Sequence, residues 1–570
     1  MADHSTGVEP PSTFPELLAT VVAARGDHPA LIADGEVLNY DELDQRSAAT
    51  ARALLALGAG KGTRIAVLAP DGVMLLSTFY GALRIGALVT PVSTLATPLE
   101  LAHILRTSDA QLLIGCRRFL RHDFAAKLEQ ALPGLSTASP RSLRLTSAPY
   151  LRSTFLDDAD GVGWAEEHST LLALADAPGA PDAALLAAVE REVSPSDDAF
   201  VVYTSGSTAA PKAVVHGQRS VATQPGALAP YFLRTADDRT MPLLPMFWMG
   251  GIAFALQSLA TGSTLVYPPS PGIDDVLDTI EQHEVTSVIV WHLGAKLRAA
   301  AIKRGIDIGR IRGLGAPVVD SAGERIPRRL RPNLLGMSES FAAHSAEPMD
   351  HRLPDSKAGA SGRAVSGIER RVVDPETGRE VESGEVGELQ LRGGALMTGF
   401  YKVDPRVVFT PDGFYPTNDL VRIDTDGYAY FVGRTGDMIK TASANVSRLE
   451  VEAALNALPE VELSLVAGLQ DAELGELVAA AVVPAAGTSL TEESLRAALQ
   501  DRLSSFKIPR RIVFITHDDV PRAPTGKVLL FELANLISSR LAPVVDGHQE
   551  PPEPARETTI DEQKVTWQRR

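Results

Sequence analysis

Tyr203-Thr204-Ser205-Gly206-Ser207-Thr208-Ala209-Ala210-Pro211-Lys212-Ala213-Val214 follows directly on the apolar run Phe200-Val201-Val202. A short continuous apolar run predicts a buried strand. The segment behind it is a loop dense in hydrogen-bond donors: the hydroxyls of Thr204, Ser205, Ser207 and Thr208, with Gly206 and Lys212. Such a loop has the chemistry of a phosphate cradle, although its spacing is not that of a Walker A loop. Taken alone, a plain Ser/Gly turn after a strand is the commoner reading.

The same pattern recurs upstream and downstream. Residues 40–57 carry alanine and leucine at helical spacing, Gly58-Ala59-Gly60 ends the helix, and Ile65-Ala66-Val67-Leu68 reads as a buried strand. Residues 74–85 and 87–89, Ile104 and residues 112–114, and residues 287–290 repeat the alternation. It predicts α/β layers around mostly parallel, helix-flanked sheets. Residues 132–195 are rich in Ser, Ala, Pro and Asp and predict a surface excursion with local helix.

Beyond Gly433 the pattern changes. Residues 447–457 and 490–503 read as helices, and residues 461–468, 477–484 and 511–516 as strands, a small α+β domain. The expected division is a flexible leader over 1–12, a large domain over 13–433, a small mobile domain over 434–545 and a disordered tail over 546–570, where large apolar residues are few.

At 570 residues and 45% hydrophobic, the chain can bury more than one core. A net charge of -17 and a pI near 5.2 give no electrostatic basis for bulk attraction to nucleic acid or anionic membrane. The single cysteine, Cys116, allows no internal disulfide and suits a reducing compartment. Without a signal-peptide pattern or an apolar run of ~18 residues, the expectation is a cytoplasmic protein without membrane insertion.

The loop at 203–214 resembles the phosphate-binding motif of the adenylate-forming superfamily, which holds acyl-CoA synthetases, peptide-synthetase adenylation domains and beetle luciferases. Further segments match in the family's order. Pro245-Met246-Phe247-Trp248-Met249-Gly250-Gly251 resembles the acid-pocket segment, and Gly313-Leu314-Gly315-Ala316-Pro317 the adenine loop. Gly336-Met337-Ser338-Glu339 is similar to the motif whose glutamate binds magnesium. Tyr415-Pro416-Thr417-Asn418-Asp419 matches the ribose-binding segment, Gly433-Arg434 the start of the hinge region, and Gly526-Lys527 the segment of the adenylation lysine.

The resemblance implies an acid–thiol ligase using ATP, CoA and Mg2+. It implies catalytic roles for Lys527, Glu339 and Lys212, nucleotide contacts from residues 204–208, Gly315, Ala316, Pro317, Ser338, Asp419 and Arg434, and an acyl pocket of Trp248, Met249, Gly250, Gly251 and Met337. Gly436 stands at the hinge, and Ala442 and Ser443 at the CoA tunnel. Charge building on phosphate must be neutralised, hence lysine, metal and loop donors, and rotation of the small domain lets one site run two reactions. Paired glycines at 250 and 251 suggest room for a bulky apolar acid.

Some residues outside the motifs invite bland readings. Trp291 is as readily core as pocket, and His216 and His292 read as structural histidines. Arg325, Arg328, Arg329 and Arg331, or Lys507, Arg510 and Arg511, could meet the CoA phosphates, although solvated surface is the commoner fate of such charges.

The chain departs from the family at several positions. Ala209 and Ala213 stand where the phosphate loop has glycine, at an expected cost of roughly 1–2 kcal/mol each if the backbone needs positive φ, and the expected consequence is a weakened adenylation step, since ATP asks more of this loop than acyl-AMP does. Leu335 replaces an aromatic, Asn418 a glycine, and Ala442-Ser443 a glycine pair. Three readings follow: a complete acyl-CoA ligase, a split enzyme that mainly thioesterifies acyl-AMP supplied by a separate adenylating partner, and a non-catalytic acid- or nucleotide-binding protein. Transfer to a carrier protein is a further variant.

Overall fold

The computed structural model describes residues 10–204, 211–290, 293–375, 377–434, 438–442, 444–521, 528 and 530–541. Its largest sheet has eight strands, in the spatial order Gly399–Phe400, Lys212–Gly217, Asp198–Thr204, Leu88–Pro91, Arg64–Leu68, Leu112–Cys116, Ser153–Asp157 and Glu166–Glu167. From Asp198–Thr204 to Glu166–Glu167 the pairings are parallel, and the first two strands are antiparallel additions. A second sheet orders Ser287–Ile289, Arg239–Pro242, Thr264–Val266, Pro29–Ala33 and Glu36–Asn39, parallel except at its last strand.

Helices cover these sheets because their apolar stripes face inward. Tyr40–Ala56 is started by a capping box between Asn39 and Glu42 and buries Tyr40, Leu43, Ala51 and Leu54. Gly58, at φ 86°, then turns the chain back toward the Arg64–Leu68 strand. The structure corrects the reading of 132–195: this stretch contributes Ser153–Asp157, which pairs in parallel with Leu112–Cys116, and Trp164 within it is 1% exposed. Glu369–Val373, Val386–Arg392, Tyr415–Ile423 and Ala429–Arg434 form a separate antiparallel sheet.

The C-terminal unit builds its own sheet from Met438–Thr441, Ala444–Ser447, Val461–Asp471, Gly475–Pro484 and Arg511–Phe514. Arg448–Asn456 and Glu492–Leu499 bury Val451, Leu455, Leu495 and Leu499 in one core, and Leu530–Leu541 contributes Leu533 and Ile537 to another. The described part of the chain contains no helix long and apolar enough to cross a membrane.

Candidate active site

Thr204 ends one strand and Lys212 begins the next, and the two are register partners in an antiparallel pair. The residues that flank the phosphate-cradle segment are therefore paired ends of two adjacent strands in the main sheet. Lys212 Nζ lies 5.1 Å from the centroid of the Phe400 ring. Ser205, Gly206, Ser207, Thr208 and Ala209 lie outside the described residues. Ala213 pairs with Tyr203 inside the Lys212–Gly217 strand and is absent from the positive-φ positions. Its backbone is one that any residue adopts, so the expected conformational cost does not apply there.

Ser338 and Glu339 sit in a short 3-10 turn after the Leu335–Met337 strand. Glu339 is 9% exposed, and the Tyr415 hydroxyl donates to its Oε1 at 3.3 Å. His216, fully buried, places Nε2 at 2.7 Å from the Ser338 carbonyl oxygen. Burial pushes this imidazole down to about 4, against the opposing effect of the Ser338 carbonyl, so the ring is neutral and Nε2 donates. His216 thus holds the turn that presents Glu339, which agrees with its reading as a structural histidine.

Among the described residues no cluster of three or more His, Cys, Asp or Glu could cage a metal ion. A lone buried carboxylate still suits Mg2+, which keeps waters and takes one or two carboxylates beside substrate phosphates.

Asp419 lies on the Tyr415–Ile423 strand, 7% exposed, with Arg434 as its cross-strand partner. Thr417 Oγ1 accepts from the Asp419 N–H at 3.0 Å. Asn418 takes φ 60°, a left-handed conformation that explains why a glycine serves at this position in the family and why asparagine is tolerated. Ala442 likewise stands at φ 55°. Gly315 and Ala316 both donate to the Ile311 carbonyl at 3.1 Å, closing a tight turn that exposes Pro317.

A cavity of about 550 Å³ opens between Trp248, Met249, Gly250, Tyr203 and Ser338 on one side and Ala444 of the C-terminal unit on the other. Trp248 stands at the N-terminal end of the Met249–Thr261 helix and packs edge-on against Phe506, with centroids 6.0 Å apart. Two expected pocket residues are not among its lining. A Cβ on Gly251 would lie 2.2 Å from the Pro245 carbonyl oxygen, so this glycine serves close backbone packing. Met337 packs against the core that includes Leu389 and Leu391. Lys527, Gly436 and Ser443 lie outside the described residues.

The paired strands, the buried carboxylate and a cavity shared between two structural units define the architecture of an adenylate-forming enzyme. The chain belongs to the AMP-binding enzyme family, whose model matches residues 18–401, with the C-terminal domain of AMP-binding enzymes matching 450–527; by class it is an acid–thiol ligase. It is 30% identical over 520 residues to a fatty acid–[acyl-carrier-protein] ligase of Streptomyces coeruleorubidus, covering 89% of this chain and 92% of that protein. It is 26% identical over 517 residues to an indoleacetate–CoA ligase of Aromatoleum aromaticum, covering 88% and 94%. An amide bond synthetase of Marinactinospora thermotolerans shares the fold, with a TM-score of 0.72 at 24% identity over 92% of this chain and 99% of that one.

Proposed function

We infer that the protein joins a bulky apolar carboxylic acid to CoA through an acyl-AMP intermediate. The observation that supports this reading best is the cavity: it runs from the apolar wall of Trp248, Met249 and Gly250, past Ser338 beside Glu339, to Ala444 of the C-terminal unit. Relatives named for fatty acid and indoleacetate act on acids with a large apolar part, which supports an apolar acid here.

In the first step a carboxylate oxygen attacks the α-phosphorus of ATP and pyrophosphate leaves. Lys527 and Lys212 neutralise the growing charge, and the donors of residues 204–208 grip the phosphates. Glu339 would hold Mg2+, which supplies Lewis-acid neutralisation of phosphate oxygens when bound. Asp419 accepts from ribose hydroxyls, Arg434 contacts ribose or phosphate, and Gly315, Ala316 and Pro317 flank adenine.

In the second step the CoA sulfur attacks the acyl carbon, the bond to the phosphate oxygen breaks, and AMP leaves. The small domain turns about Gly436 between the steps, carrying Lys527 away and bringing Ala442 and Ser443 to the thiol path. The large and small domains divide at residues 433 and 434, and the enzyme works in a reducing cytoplasm, where Cys116 would stay reduced.

A panel of acids of rising apolar bulk tests the acid class. Turnover relative to KM should rise with bulk in the native protein and fall for Trp248→Ala with the acid that fits best. A preference for short polar acids would overturn it.

A further inference from the structure

Lys507 belongs to the C-terminal unit, yet its ammonium is buried between a carboxylate of that unit and one of the large unit. Nζ donates to Glu450 Oε1 at 2.8 Å and to Glu100 Oε1 at 2.8 Å. The side chains of Lys507, Glu450 and Glu100 are 7%, 10% and 12% exposed. Ser504 Oγ adds a donor to Glu100, at 2.7 Å from Oε1. This corrects the idea that Lys507 receives CoA phosphates, because its charge is already matched twice. Two ion pairs among the described residues join the units; the other, Lys296 to Glu473 at 3.5 Å, has side chains 62% and 72% exposed and contributes little.

The two partners of Lys507 are not equivalent. Glu450 sits on the Arg448–Asn456 helix of the same unit and stays with Lys507 however that unit turns. Glu100 sits on the Pro98–Thr107 helix of the large unit, where its other oxygen, Oε2, accepts from the Thr97 N–H at 2.9 Å and closes that helix's capping box. Lys507 therefore has one permanent and one exchangeable partner. Parting the units leaves Lys507 neutralised by Glu450 and returns Glu100 to water, so the desolvation that makes most buried pairs costly to break is largely relieved. The contact is strong where it forms and can be released. It also lies in the cavity wall beside Phe506 and Trp248, in the orientation that turns Ala444 toward Ser338.

We propose that the Glu100–Lys507 pair is the latch that selects this thiol-accepting orientation of the C-terminal unit, with Glu100 a positioning residue for the second half-reaction. The inference rests on the two-step reading above. Glu100→Gln removes the charge and keeps the cap, and Lys507→Met removes the cation.

In Glu100→Gln, the rate of thioester formation from supplied acyl-AMP relative to acid-dependent pyrophosphate exchange should fall about tenfold, equivalent to ~1.4 kcal/mol. Lys507→Met should show the same asymmetry. A second readout needs no activity. With Lys296→Cys and Glu473→Cys joined by a short bismaleimide, cross-linking yield should fall severalfold when Glu100→Gln is added.

If the native protein runs neither half-reaction, the two-step reading fails while cross-linking still judges the latch. If both half-reactions run and Glu100→Gln changes neither their ratio nor the cross-linking, the latch is refuted.

Discussion

His216 Nε2 stands 2.7 Å from the Ser338 carbonyl oxygen, tying the strand after the phosphate loop to the turn that carries Glu339. The ring packs edge-on against Phe341 at 5.1 Å and tilted against Phe200 at 5.2 Å, which excludes water from it. The Lys212–Gly217 strand and the turn of Glu339 are therefore tied together by one buried, neutral imidazole.

That imidazole makes stability depend on pH. Its folded value, about 4 through burial, lies below the ordinary histidine value. The unfolded chain therefore binds the proton first, and the stabilisation is complete above about pH 6.5 and lost as pH falls toward 4. The ceiling is about 3 kcal/mol. Denaturant midpoints measured from pH 7 to pH 4.5 should fall, and His216→Gln should flatten part of that slope at a lower starting stability. An unchanged slope would place the proton linkage elsewhere.

Glu339→Gln should lower acid-dependent pyrophosphate exchange by about two orders of magnitude and weaken its dependence on Mg2+. Lys527→Ala should lower the same exchange by about as much. Both should leave thioester formation from supplied acyl-AMP within a few-fold of native, since that step makes no new charge on pyrophosphate. Equal loss of both half-reactions in a folded variant would remove these assignments.

Ala442 takes φ 55° with its N–H donating to the Leu474 carbonyl at 2.7 Å. A Cβ in the left-handed region costs roughly 1–2 kcal/mol, of which glycine recovers part against its greater freedom when unfolded. Ala442→Gly should raise the unfolding free energy by up to about 1 kcal/mol, read by chemical denaturation. A destabilised Ala442→Gly would show that the backbone is not strained there.

Ala209 and Ala213 separate cleanly. Ala213→Gly alters a paired strand residue and should cost stability without helping adenylation, because glycine weakens a strand. Any gain in pyrophosphate exchange should come from Ala209→Gly. A gain from Ala213→Gly alone would contradict the strand geometry.

The strands and helices whose apolar spacing is regular were legible from sequence alone. Phe200-Val201-Val202 lies in Asp198–Thr204, and residues 461–468 and 477–484 lie in two long paired strands. Ser153–Asp157 was not legible, because Ser153 and Thr154 interrupt the apolar signal and its burial comes from the neighbouring Leu112–Cys116 strand. Gly250 and Gly251 looked alike in sequence, but the turn at Pro245 makes one a cavity wall and the other a packing contact. Lys507 and Glu100 are 407 residues apart, and local patterning carries no trace of a contact made by two units meeting.

In the proposed reaction the acid carboxylate attacks the α-phosphorus of ATP before the thiol acts. The most direct measurement starts from acid labelled with 18O in its carboxyl group, with ATP and CoA, and follows the label by mass spectrometry. One labelled oxygen should appear in AMP for each thioester formed and none in pyrophosphate. Label in inorganic phosphate accompanied by ADP, or unlabelled AMP beside the thioester, would contradict it.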